Sequence, residues 1–452
     1  MKVLLIQPQS SNPLMDRVYL FEPLALEYVG AGLKQAGHEV RLVDARLEPD
    51  AERVFTEFRP EAVGITGFTT HLNIVKHLAA RLKNRDPKVL IVVGGHHATV
   101  RPDDFAGTAV DVVVIGEGVF AMVELLQAVE RGEEPLTVRG LALQGPTGLI
   151  YTEPRAPSPL DVLPMPDRNL TAAHRGSYFS EWFRPLASVR TSLGCTARCT
   201  FCALWSITGG KYLRRDPENV VRELQTIAEA NVFFCDDESM VDVKRMSRLA
   251  DLIAESGIRK RYFLYARVDT IVKHPELFGK WKRIGLSQVF VGMEDFSDAR
   301  LVAMQKGIST EQQAMAVKIL SDLGVMMYAS FMVDPAYEVE DFRLLREYIR
   351  RLRLTYATFA VLTPLPGTEL HGSVKNRLLS QKPELYDMLH ALVPTRLPLP
   401  EFYEQMARLY AGAIPLFRSL PVLLRYGLHG ILVRLRVYET FLARVRASHL
   451  DY

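Results

Sequence analysis

The sequence predicts an α/β protein with a Rossmann-like N-terminal domain, a central partial barrel of six βα units and a C-terminal helical segment. Short runs rich in Val, Ile and Leu alternate with amphipathic stretches, which is typical of parallel strands covered by helices on both faces. A proline-rich stretch divides this alternation into two blocks, and the alternation stops after residue 370. A chain of 452 residues is also too long for one ordinary core, so two or three domains are expected.

The first block, residues 1–145, is predicted to be a parallel sheet with helices between its strands. Helices are expected at 23–37, where Gly37 ends the first one, and near 71–84 and 119–131. Strands that end in glycine-rich turns place ligand-binding backbone at the carboxyl edge of such a sheet. The expected strands are KVLLIQ (2–7), HEVRLVDA (38–45), EAVGITG (61–67), KVLIVVGG (88–95) and DVVVIGEG (111–118).

The second block, residues 186–370, follows a connector at 146–185 whose segment EPRAPSPLDVLPMPDR has five prolines and cannot form regular helix. A complete eight-unit barrel usually needs about 250 residues, so the shorter block predicts an open barrel of six strands. Residues 371–452 are predicted to be helical. The expected barrel strands are 186–192, 232–237, 261–267, 287–294, 326–333 and 358–365, with helices such as 217–230 and 243–257 between them.

Composition narrows the class of protein. The net charge of +3 gives no general argument for nucleic-acid binding. Four cysteines, three of them crowded together, do not make a disulfide framework and fit a reducing compartment. The N-terminus reads as a buried strand and not a signal peptide, and no apolar run is long enough to span a membrane. We expect a cytoplasmic protein, with a peripheral position on the inner face of the membrane as an alternative.

Cys195, Cys199 and Cys202 lie within eight residues, in the spacing C-x3-C-x2-C, just after the first predicted barrel strand. Barrel chemistry takes place at the carboxyl ends of the strands. Thiolates are soft ligands that suit zinc or iron–sulfur clusters, and structural zinc usually takes four ligands in spaced pairs. Three cysteines would leave one iron of a cubane open to a substrate or cofactor. Zinc and chance clustering remain the alternatives. Cys235, the fourth cysteine, is expected to be a small packed residue.

The segment CTARCTFC resembles the CxxxCxxC signature of the radical S-adenosylmethionine (SAM) superfamily, and Phe201 matches the aromatic residue usual before the last cysteine. The resemblance implies a [4Fe–4S] cluster held by Cys195, Cys199 and Cys202. Its open iron would chelate the amino and carboxylate groups of SAM, whose cleavage gives a 5′-deoxyadenosyl radical. The protein would hold and orient the cofactor and exclude water.

Further barrel edges fit this resemblance loosely. FFCDDES (233–239) ends the second strand, where the superfamily has a Gly-Gly-Glu-like segment that contacts the methionine amino group, and TPLPGTE (363–369) resembles the edge of the last strand. The alternatives are solvating charges at strand ends and ordinary ion pairs. The resemblance implies SAM contacts by Phe201, Asp236, Asp237, Glu238, Arg267 and Glu294.

The N-terminal block lacks the G-x-G-x-x-G of nucleotide-binding Rossmann domains, since IQPQSSNP follows its first strand. GITGFTTHLN (64–73), VVGGHHATVRPDD (92–104) and VIGEGVFAMVELL (114–126) instead resemble the cobalamin-binding domain of B12-dependent radical SAM enzymes. That resemblance implies a corrinoid across the carboxyl edge of the sheet. The implied contact residues are Thr66, Gly67, Thr69, Gly94, Gly95, His96, Thr99, Gly116, Glu117 and Gly118.

The DxHxxG segment, which gives many corrinoid proteins their lower axial histidine, is absent. His71, His96 and His97 stand in other contexts. We expect each of them to support the site or lie on the surface rather than ligate cobalt. The cobalt would then have no protein imidazole below it, which would alter how readily its carbon bond breaks.

Within this class the sequence resembles the hopanoid C-3 methylase group, and the resemblance covers nearly the whole chain. It implies a triterpenoid lipid substrate methylated at C-3, with methylcobalamin as methyl donor and flavodoxin or ferredoxin as electron donor. The alternatives are a tetrapyrrole oxidative cyclase, a natural-product methylase, or a non-catalytic corrinoid and iron–sulfur sensor. The resemblance is carried by FEPLALEYVGAGL, VVGGHHATV, RNLTAAHRGSYFSEW, PLASVRTSLGC, CALWSITGGKYL, RKRYFLYARVDT and PTRLPLPEFY.

Two segments leave alternatives open. The tail 411–452 has six Arg against two acidic residues, and Arg434 and Arg436 alternate with apolar residues. It could lie on an anionic membrane surface or pack as a lid on the barrel. The aromatic residues before the cysteines could line a lipid cavity or be packed in the core. They are Tyr178, Phe179, Trp182 and Phe183.

Overall fold

The computed structural model describes residues 1–413 and 420–452, and between 420 and 434 it describes the side chain of Leu432 alone. The described chain forms two compact units. Unit 1 comprises Met1–Thr196, Ala203–Asp237 and Asp251–Lys260. Unit 2 comprises Ala197–Cys202, Glu238–Ala250 and Arg261–Tyr452.

Strands and helices alternate along most of the chain, as the sequence predicts. The elements of the N-terminal part are β1 (Lys2–Gln7), β2 (Tyr19–Leu20), α1 (Leu24–Gln35), β3 (Glu39–Asp44), α2 (Ala51–Phe58), β4 (Ala62–Thr66), α3 (Leu72–Arg85), β5 (Leu90–Gly94), α4 (His96–Val100), β6 (Val112–Val114), α5 (Gly118–Glu130), β7 (Leu141–Gly145) and β8 (Gly148–Tyr151). The elements that follow are β9 (Phe179–Ser180), β10 (Leu186–Val189), β11 (Ser192–Leu193), α6 (Leu204–Thr208), β12 (Leu213–Arg214), α7 (Pro217–Thr226), β13 (Asn231–Phe234), α8 (Val243–Glu255), β14 (Arg261–Ala266), α9 (Val268–Lys273), α10 (Pro275–Arg283), β15 (Leu286–Glu294), α11 (Asp298–Ala303), α12 (Thr310–Asp322), β16 (Met326–Val333), α13 (Val339–Arg351), β17 (Tyr356–Val361), α14 (Glu369–Val374), α15 (Leu399–Ala413) and α16 (Leu420–Ala447).

The N-terminal sheet has the strand order β3-β1-β4-β5-β6-β7-β8. Its first five strands are parallel, which confirms the five predicted strands and their direction. The continuous apolar run of β1 is buried on both faces: Leu4 and Ile6 share a core with α2 and α3, and Val3 and Leu5 share one with α1 and α5. The alternation of apolar runs and helices in the sequence therefore correctly indicates a sheet that is covered by helices on both faces.

The hairpin β7–β8 is a difference from the prediction. Both strands are antiparallel and extend the sheet beyond β6. The sheet thus continues to Tyr151, past the domain end predicted at residue 145. The hairpin lacks the long apolar run of the other strands, because β8 lies at the edge of the sheet and leaves Ile150 and Tyr151 exposed.

The second large sheet has six strands in the order β10-β13-β14-β15-β16-β17, which confirms the six predicted barrel strands. The strand pairs β10–β13, β14–β15, β15–β16 and β16–β17 are parallel. Because their pairs are parallel, the carboxyl ends of β14, β15, β16 and β17 lie along one edge of the sheet. Of the predicted SAM-binding residues, Arg267 follows β14 and Glu294 ends β15 at this edge.

The C-terminal region is helical where it is described, as predicted. Tyr410 of α15 contacts Phe359 of β17 and Phe441 of α16, with ring centroids 5.3 and 4.8 Å apart. Arg446 also pairs with Glu404 at 2.9 Å. These contacts favour the packed alternative for this part of the tail. Of the alternating side chains, those of Val433 and Arg434 lie outside the described residues, whereas Leu432 and Arg436 are exposed. No helix in the described chain is long and apolar enough to cross a membrane.

Two of the four aromatic residues before the cysteines are packed in the core. Tyr178 and Phe183 are fully buried. The Tyr178 hydroxyl donates to Asp44 Oδ2 at 3.3 Å. Phe179 pairs in β9 with β2 and carries the Arg184 guanidinium 4.6 Å from its ring centre. For Tyr178 and Phe183, the packed alternative is the one that their burial supports.

Candidate functional site

The strand leading into Cys195 is held by a buried carboxylate. Asp236 Oδ1 accepts the backbone N–H groups of Thr191 and Ser192 at 2.6 and 2.9 Å, and Asp236 Oδ2 accepts the Thr191 hydroxyl at 2.5 Å. Asp237 Oδ2 accepts the Gly194 N–H at 2.8 Å. The acidic pair that ends β13 therefore shapes the backbone directly before the first cysteine. Asp236 and Asp237 therefore have a structural role that does not depend on contact with a cofactor.

Gly194 is a geometric requirement of this turn. Its φ is +98°, and a Cβ at this position would lie 2.0 Å from the carbonyl oxygen of Lys211. No other residue type fits both the left-handed backbone and the close approach. The glycine in SLGC thus sets the path of the chain into Cys195.

Cys199 and Cys202 lie on a half-buried loop with anchors of its own. Thr200, between them, donates its N–H to Met304 O at 3.1 Å, and its carbonyl accepts the N–H of Leu370 at 3.0 Å. The N–H of Cys202 donates to Cys199 O at 3.2 Å. Phe201, the predicted SAM contact on this loop, is half-buried. Hydrogen bonds on both sides of Thr200 thus fix the segment that carries these two thiols.

Cys235 differs from the other three cysteines. Its Sγ donates to Val189 O at 3.5 Å and packs beside Leu24, Tyr28 and Val119. Burial raises the pKa of this thiol to about 12, so it stays protonated and is a poor metal ligand. The packed role that the sequence suggests for Cys235 agrees with these surroundings.

Glu238 and Arg267 meet at the carboxyl ends of neighbouring strands. Glu238 is 1% exposed, and its Oε1 accepts the Arg267 N–H at 3.2 Å. Glu238 Oε2 is buried and has no hydrogen-bond partner among the described residues. Burial raises the pKa of this carboxyl to about 7. A buried acceptor of this kind fits a cationic amino group, because such a partner would offset the cost of burying the carboxylate.

Glu294 ends β15 in a strained conformation. Its φ is +64°, and the register of β15 against β16 shifts at this point. Its Oε1 lies 2.5 Å from Nζ of Lys306, and both side chains are buried. Arg267 Nη2 donates to the carbonyl of Lys306 at 2.7 Å, so Arg267, Glu294 and Lys306 form one group. Strain of this kind is often found where a side chain must be aimed at a ligand.

Lys306 is a residue that the sequence analysis missed. It stands in MQKGIST, and both Gln305 and Gly307 have positive φ, so a tight turn places the ammonium beside Glu294. The same turn provides Met304 O, the acceptor for Thr200 in the cysteine loop. In the sequence, a lysine followed by glycine after a helix indicates a turn at this position. It does not indicate that the lysine pairs with Glu294.

These residues fit the cofactors that the sequence implies. Three half-buried thiols within eight residues of sequence, two of them on the loop anchored at Thr200, are a suitable donor set for an iron–sulfur cluster. The unpartnered Oε2 of Glu238 suits the amino group of the methionine part of SAM, and the buried ammonium of Lys306 suits its carboxylate. Within residues 1–413 and 420–452, no group of three or more His, Cys, Asp or Glu side chains is arranged to hold a metal ion. Ligands of a cubane bind separate irons and therefore lie further apart than ligands of one ion.

At the carboxyl edge of the N-terminal sheet, Thr66, Gly67 and Gly95 are brought together. Gly95 has a φ of +98°, and a Cβ there would lie 2.7 Å from Thr66 Oγ1 and 2.9 Å from both Gly67 N and Gly67 O. Gly94 is less crowded, since its nearest neighbour would be Val114 Cβ at 3.7 Å. The edge is therefore closely packed at Gly95 and less crowded at Gly94.

Thr99 links the loops that follow β5 and β6. Its hydroxyl donates to Gly95 O at 2.9 Å and accepts the Gly116 N–H at 3.0 Å. Glu117 caps α5, which begins at Gly118, because its carboxylate accepts the N–H groups of Val119 and Phe120. A Cβ at Gly116 would meet no atom within 4 Å, so space remains open above this loop. The predicted cobalamin residues on these two loops thus build one connected cradle.

The three histidines of this edge have different surroundings. His97 is buried, with Nδ1 3.1 Å from Thr69 Oγ1 and Nε2 3.2 Å from Asp104 Oδ2. His71 is buried, and its Nδ1 accepts the N–H of Phe68. His96 is exposed. Both His71 and His97 are thus engaged in contacts within the fold. That neither ligates cobalt stays a prediction.

Gly95→Ala should lower the stability of unit 1 by about 2 kcal/mol or more, since the methyl group would meet backbone atoms in a left-handed conformation. The loops of the cradle would shift, and cobalamin uptake should fall with them. Thermal unfolding and the absorbance of co-eluting cobalamin in gel filtration measure the two effects. Gly132→Ala is the matched control, because Gly132 also has positive φ but nothing within 4 Å of a Cβ. Equal behaviour of the two variants would contradict the close approach at Gly95.

Comparisons with known proteins agree with this geometry. Residues 15–126 match the family described as B12 binding domain, and residues 189–364 match the radical SAM superfamily. The first range contains the cradle of Thr66, Gly95 and Thr99. The second contains the cysteine loop and the carboxyl ends of the six barrel strands.

Two curated relatives cover most of the chain. Hopanoid C-3 methylase of Methylococcus capsulatus is 32% identical over 419 residues, which are 90% of this chain and 79% of that protein. Anaerobic magnesium-protoporphyrin IX monomethyl ester cyclase of Rubrivivax gelatinosus is 25% identical over 86% of this chain and 71% of that protein.

Two solved structures share the fold. The radical SAM methyltransferase TsrM from Kitasatospora setae, with cobalamin and a [4Fe–4S] cluster bound, has a TM-score of 0.71 at 18% identity, covering 92% of this chain and 89% of that one. The cobalamin-dependent radical SAM enzyme OxsB has a TM-score of 0.75 at 14% identity, covering 99% and 72%. The chain therefore belongs to the cobalamin-dependent radical SAM methyltransferases, enzymes that use cobalamin, a [4Fe–4S] cluster and S-adenosylmethionine.

Proposed function

We propose that this enzyme methylates an unactivated ring carbon of a hopanoid lipid, at C-3. The 32% identity to hopanoid C-3 methylase over 90% of the chain supports this choice of substrate. The single structural observation that carries it is a row of half-buried aromatic side chains across three neighbouring barrel strands. Such a row suits a flat, apolar substrate better than a charged one.

The row consists of Tyr265, Phe290 and Tyr328, which are neighbours in register on β14, β15 and β16. Their ring centroids are 4.9 and 5.6 Å apart. All three are half-buried, whereas Val289 and Val291 on the opposite face of β15 are fully buried. Because side chains alternate along a strand, the aromatic row lies on the face that is not covered as fully. A fused apolar ring system could lie against it.

Residues of this chain would hold the cofactors as follows. Cys195, Cys199 and Cys202 would bind three irons of the [4Fe–4S] cluster. Glu238 would accept the amino group of SAM, and Lys306, with Glu294 beside it, would face the carboxylate. When bound, these cofactors supply a 5′-deoxyadenosyl radical and a transferable methyl group. An external flavodoxin or ferredoxin would supply the electron.

The remaining work of the protein is positioning and exclusion of water. A saturated ring carbon offers neither an acidic proton nor a lone pair, so acid–base catalysis would contribute little. Phe290 and its neighbours would orient the substrate, and the buried Glu294–Lys306 pair would fix the cofactor end of the site. Rigid placement of both partners is how such a site lowers the barrier.

The test is anaerobic incubation of the reconstituted enzyme with titanium(III) citrate, SAM, methylcobalamin and a panel of hopanoids, read by mass spectrometry. We expect 5′-deoxyadenosine together with a hopanoid heavier by one methylene, methylated at C-3. Phe290→Ala should reduce methylation, while SAM cleavage without substrate stays at the wild-type rate. Methylation at another position would contradict the assignment of C-3.

Two controls distinguish the alternatives. Magnesium-protoporphyrin monomethyl ester in place of the hopanoid tests for cyclase activity, which the second relative performs. Its conversion, with hopanoids unchanged, would overturn the lipid substrate while leaving the enzyme class intact. Failure to form 5′-deoxyadenosine in fully reconstituted protein would contradict catalysis altogether and favour a sensor.

A further inference from the structure

One buried side chain holds the peptide groups on both sides of Glu294. Gln313, in the first turn of α12, has no exposed surface. Its Nε2 donates to Met293 O at 2.8 Å and to Asp295 O at 3.1 Å. Both amide hydrogens are therefore used, and the two carbonyls that they bind belong to the residues directly before and after Glu294.

The hydroxyl of Tyr348 determines which way this amide points. Tyr348, on α13, donates to Gln313 Oε1 at 2.5 Å. A backbone carbonyl only accepts hydrogen bonds, so the amide nitrogen must be the end of the side chain that faces Met293 and Asp295. Both ends of the Gln313 amide thus have partners within the protein, and these partners fix its orientation.

The backbone at Glu294 is strained and depends on such support. The Asp295 N–H donates to Met293 O at 2.9 Å, so a three-residue turn closes around Glu294, whose φ is +64°. Turns of this kind with a positive φ at the centre are rare and cost free energy. Gln313 binds both ends of the turn and therefore stabilises it against the extended conformation of the rest of β15.

The turn directs the Glu294 carboxylate back over Gly292. A Cβ at Gly292 would collide with Glu294 Oε1 and would lie 2.8 Å from Lys306 Nζ, so the glycine provides the space that this ion pair occupies. The pairing of β15 with β16 shifts by one residue between Gly292 and Glu294, and such bulges often redirect a side chain beside a functional site. The position of the buried Glu294–Lys306 pair thus depends on the turn.

We propose that Gln313 is a positioning residue for SAM, because its amide holds the turn at Glu294 and thereby fixes the Glu294–Lys306 pair. The inference rests on the proposed function, in which Lys306 faces the carboxylate of SAM. Gln313 acts through the pair, since its own amide is engaged by Met293, Asp295 and Tyr348.

The test is the affinity of the reconstituted enzyme for SAM, measured by anaerobic equilibrium dialysis. The change that SAM produces in the electron paramagnetic resonance spectrum of the reduced cluster gives a second readout. Gln313→Met keeps the length of the side chain but removes both donors. We expect SAM to bind about tenfold more weakly, as loss of one hydrogen bond to a charged group predicts, with wild-type iron content and a wild-type spectrum before SAM is added.

Tyr348→Phe is the milder variant, since it removes only the hydroxyl that orients the amide. It should weaken SAM binding by a smaller factor, and it tests the proposal if Gln313→Met folds poorly. Gln405→Met is the matched control, because Gln405 is also a buried glutamine of unit 2, on α15. It should bind SAM as the wild type does. Wild-type affinity in both Gln313→Met and Tyr348→Phe would overturn the proposal, as would equal losses in Gln313→Met and Gln405→Met.

Lys306→Met separates failure of this inference from failure of the assignment on which it rests. It should weaken SAM binding at least as much as Gln313→Met, and the double variant should bind no more weakly than Lys306→Met alone. Wild-type affinity in Lys306→Met would overturn the assignment and the inference together. Weak binding by Lys306→Met with wild-type affinity in Gln313→Met, or additive losses in the double variant, would overturn only the role of Gln313. These measurements need no hopanoid, so they do not depend on the lipid substrate.

Discussion

Replacing Cys199 with alanine is expected to abolish the [4Fe–4S] absorbance of anaerobically reconstituted protein and all cleavage of SAM. A cubane held by three thiolates has no spare protein ligand, so loss of one leaves two irons open. The loop itself should persist, because its anchors at Thr200 are backbone hydrogen bonds to Met304 and Leu370. Iron content, absorbance and 5′-deoxyadenosine formation measure the effect.

Cys235→Ala is the matched control, since it removes a thiol whose sulfur contacts Val189 O and not the cysteine loop. We expect it to keep a full complement of iron and wild-type cleavage of SAM. Cys199→Ala should still bind cobalamin, because the cradle around Gly95 does not include this loop. Retained SAM cleavage in Cys199→Ala, or iron loss in Cys235→Ala, would refute the assignment of the three ligands.

The fold could be predicted from the sequence because its main signal is local. In the N-terminal sheet, buried parallel strands such as β1 and β5 are short runs rich in Val, Ile and Leu, and helices separate the strands along the chain. The hairpin β7–β8 was missed because an edge strand needs no such run. Its exposed residues Ile150 and Tyr151 resemble those of a loop.

The site could be predicted in part for the same reason. Three cysteines in eight residues are visible without a structure, whereas the contacts of Glu294 depend on strand register and on a turn twelve residues later at Lys306.

Unit 1 also contains a network of buried charges that the sequence does not predict, because the paired residues are far apart along the chain. Arg175 of the proline-rich connector contacts Glu22, 153 positions away, and its Nε donates to Glu229 at 2.6 Å. Arg168 of the same connector donates to Glu223 at 2.7 Å. The connector therefore binds both the segment before α1 and the segment around α7, which explains why unit 1 includes the first two barrel strands.

The charges of this network are close to balanced at neutral pH. Burial, with Glu22 nearby, raises the pKa of Glu27 to about 8, so this carboxyl is largely protonated and accepts from the Thr171 hydroxyl at 2.5 Å. Three further acidic side chains pair with three arginines. The paired residues are Glu22, Glu223, Glu229, Arg168, Arg175 and Arg215. Removal of one arginine leaves a buried negative charge without compensation.

Arg175→Met should therefore destabilise unit 1 by about 3–5 kcal/mol, the usual cost of breaking a buried ion pair from one side. Of its arginine partners Glu22 would keep Arg168, whose Nε lies 3.7 Å away, together with the Ser188 N–H that donates to its Oε1. Glu229 would lose its 2.6 Å partner. Arg175→Lys should give an intermediate loss, because an ammonium keeps the charge but cannot reach two carboxylates with a planar fork. Thermal and denaturant unfolding followed by fluorescence measure these differences.

Arg343→Ala provides the comparison, since Arg343 also pairs with two carboxylates, Glu340 and Glu347, but on the exposed face of α13. Solvent screens these pairs, so this variant should unfold at the wild-type midpoint. Equal stability of Arg175→Met and Arg343→Ala would contradict the argument that burial makes the connector's arginines important for the stability of unit 1. A large loss confined to Arg175→Met would mean that the connector is a structural part of the cobalamin-binding unit, held there by charge as well as by its buried apolar side chains.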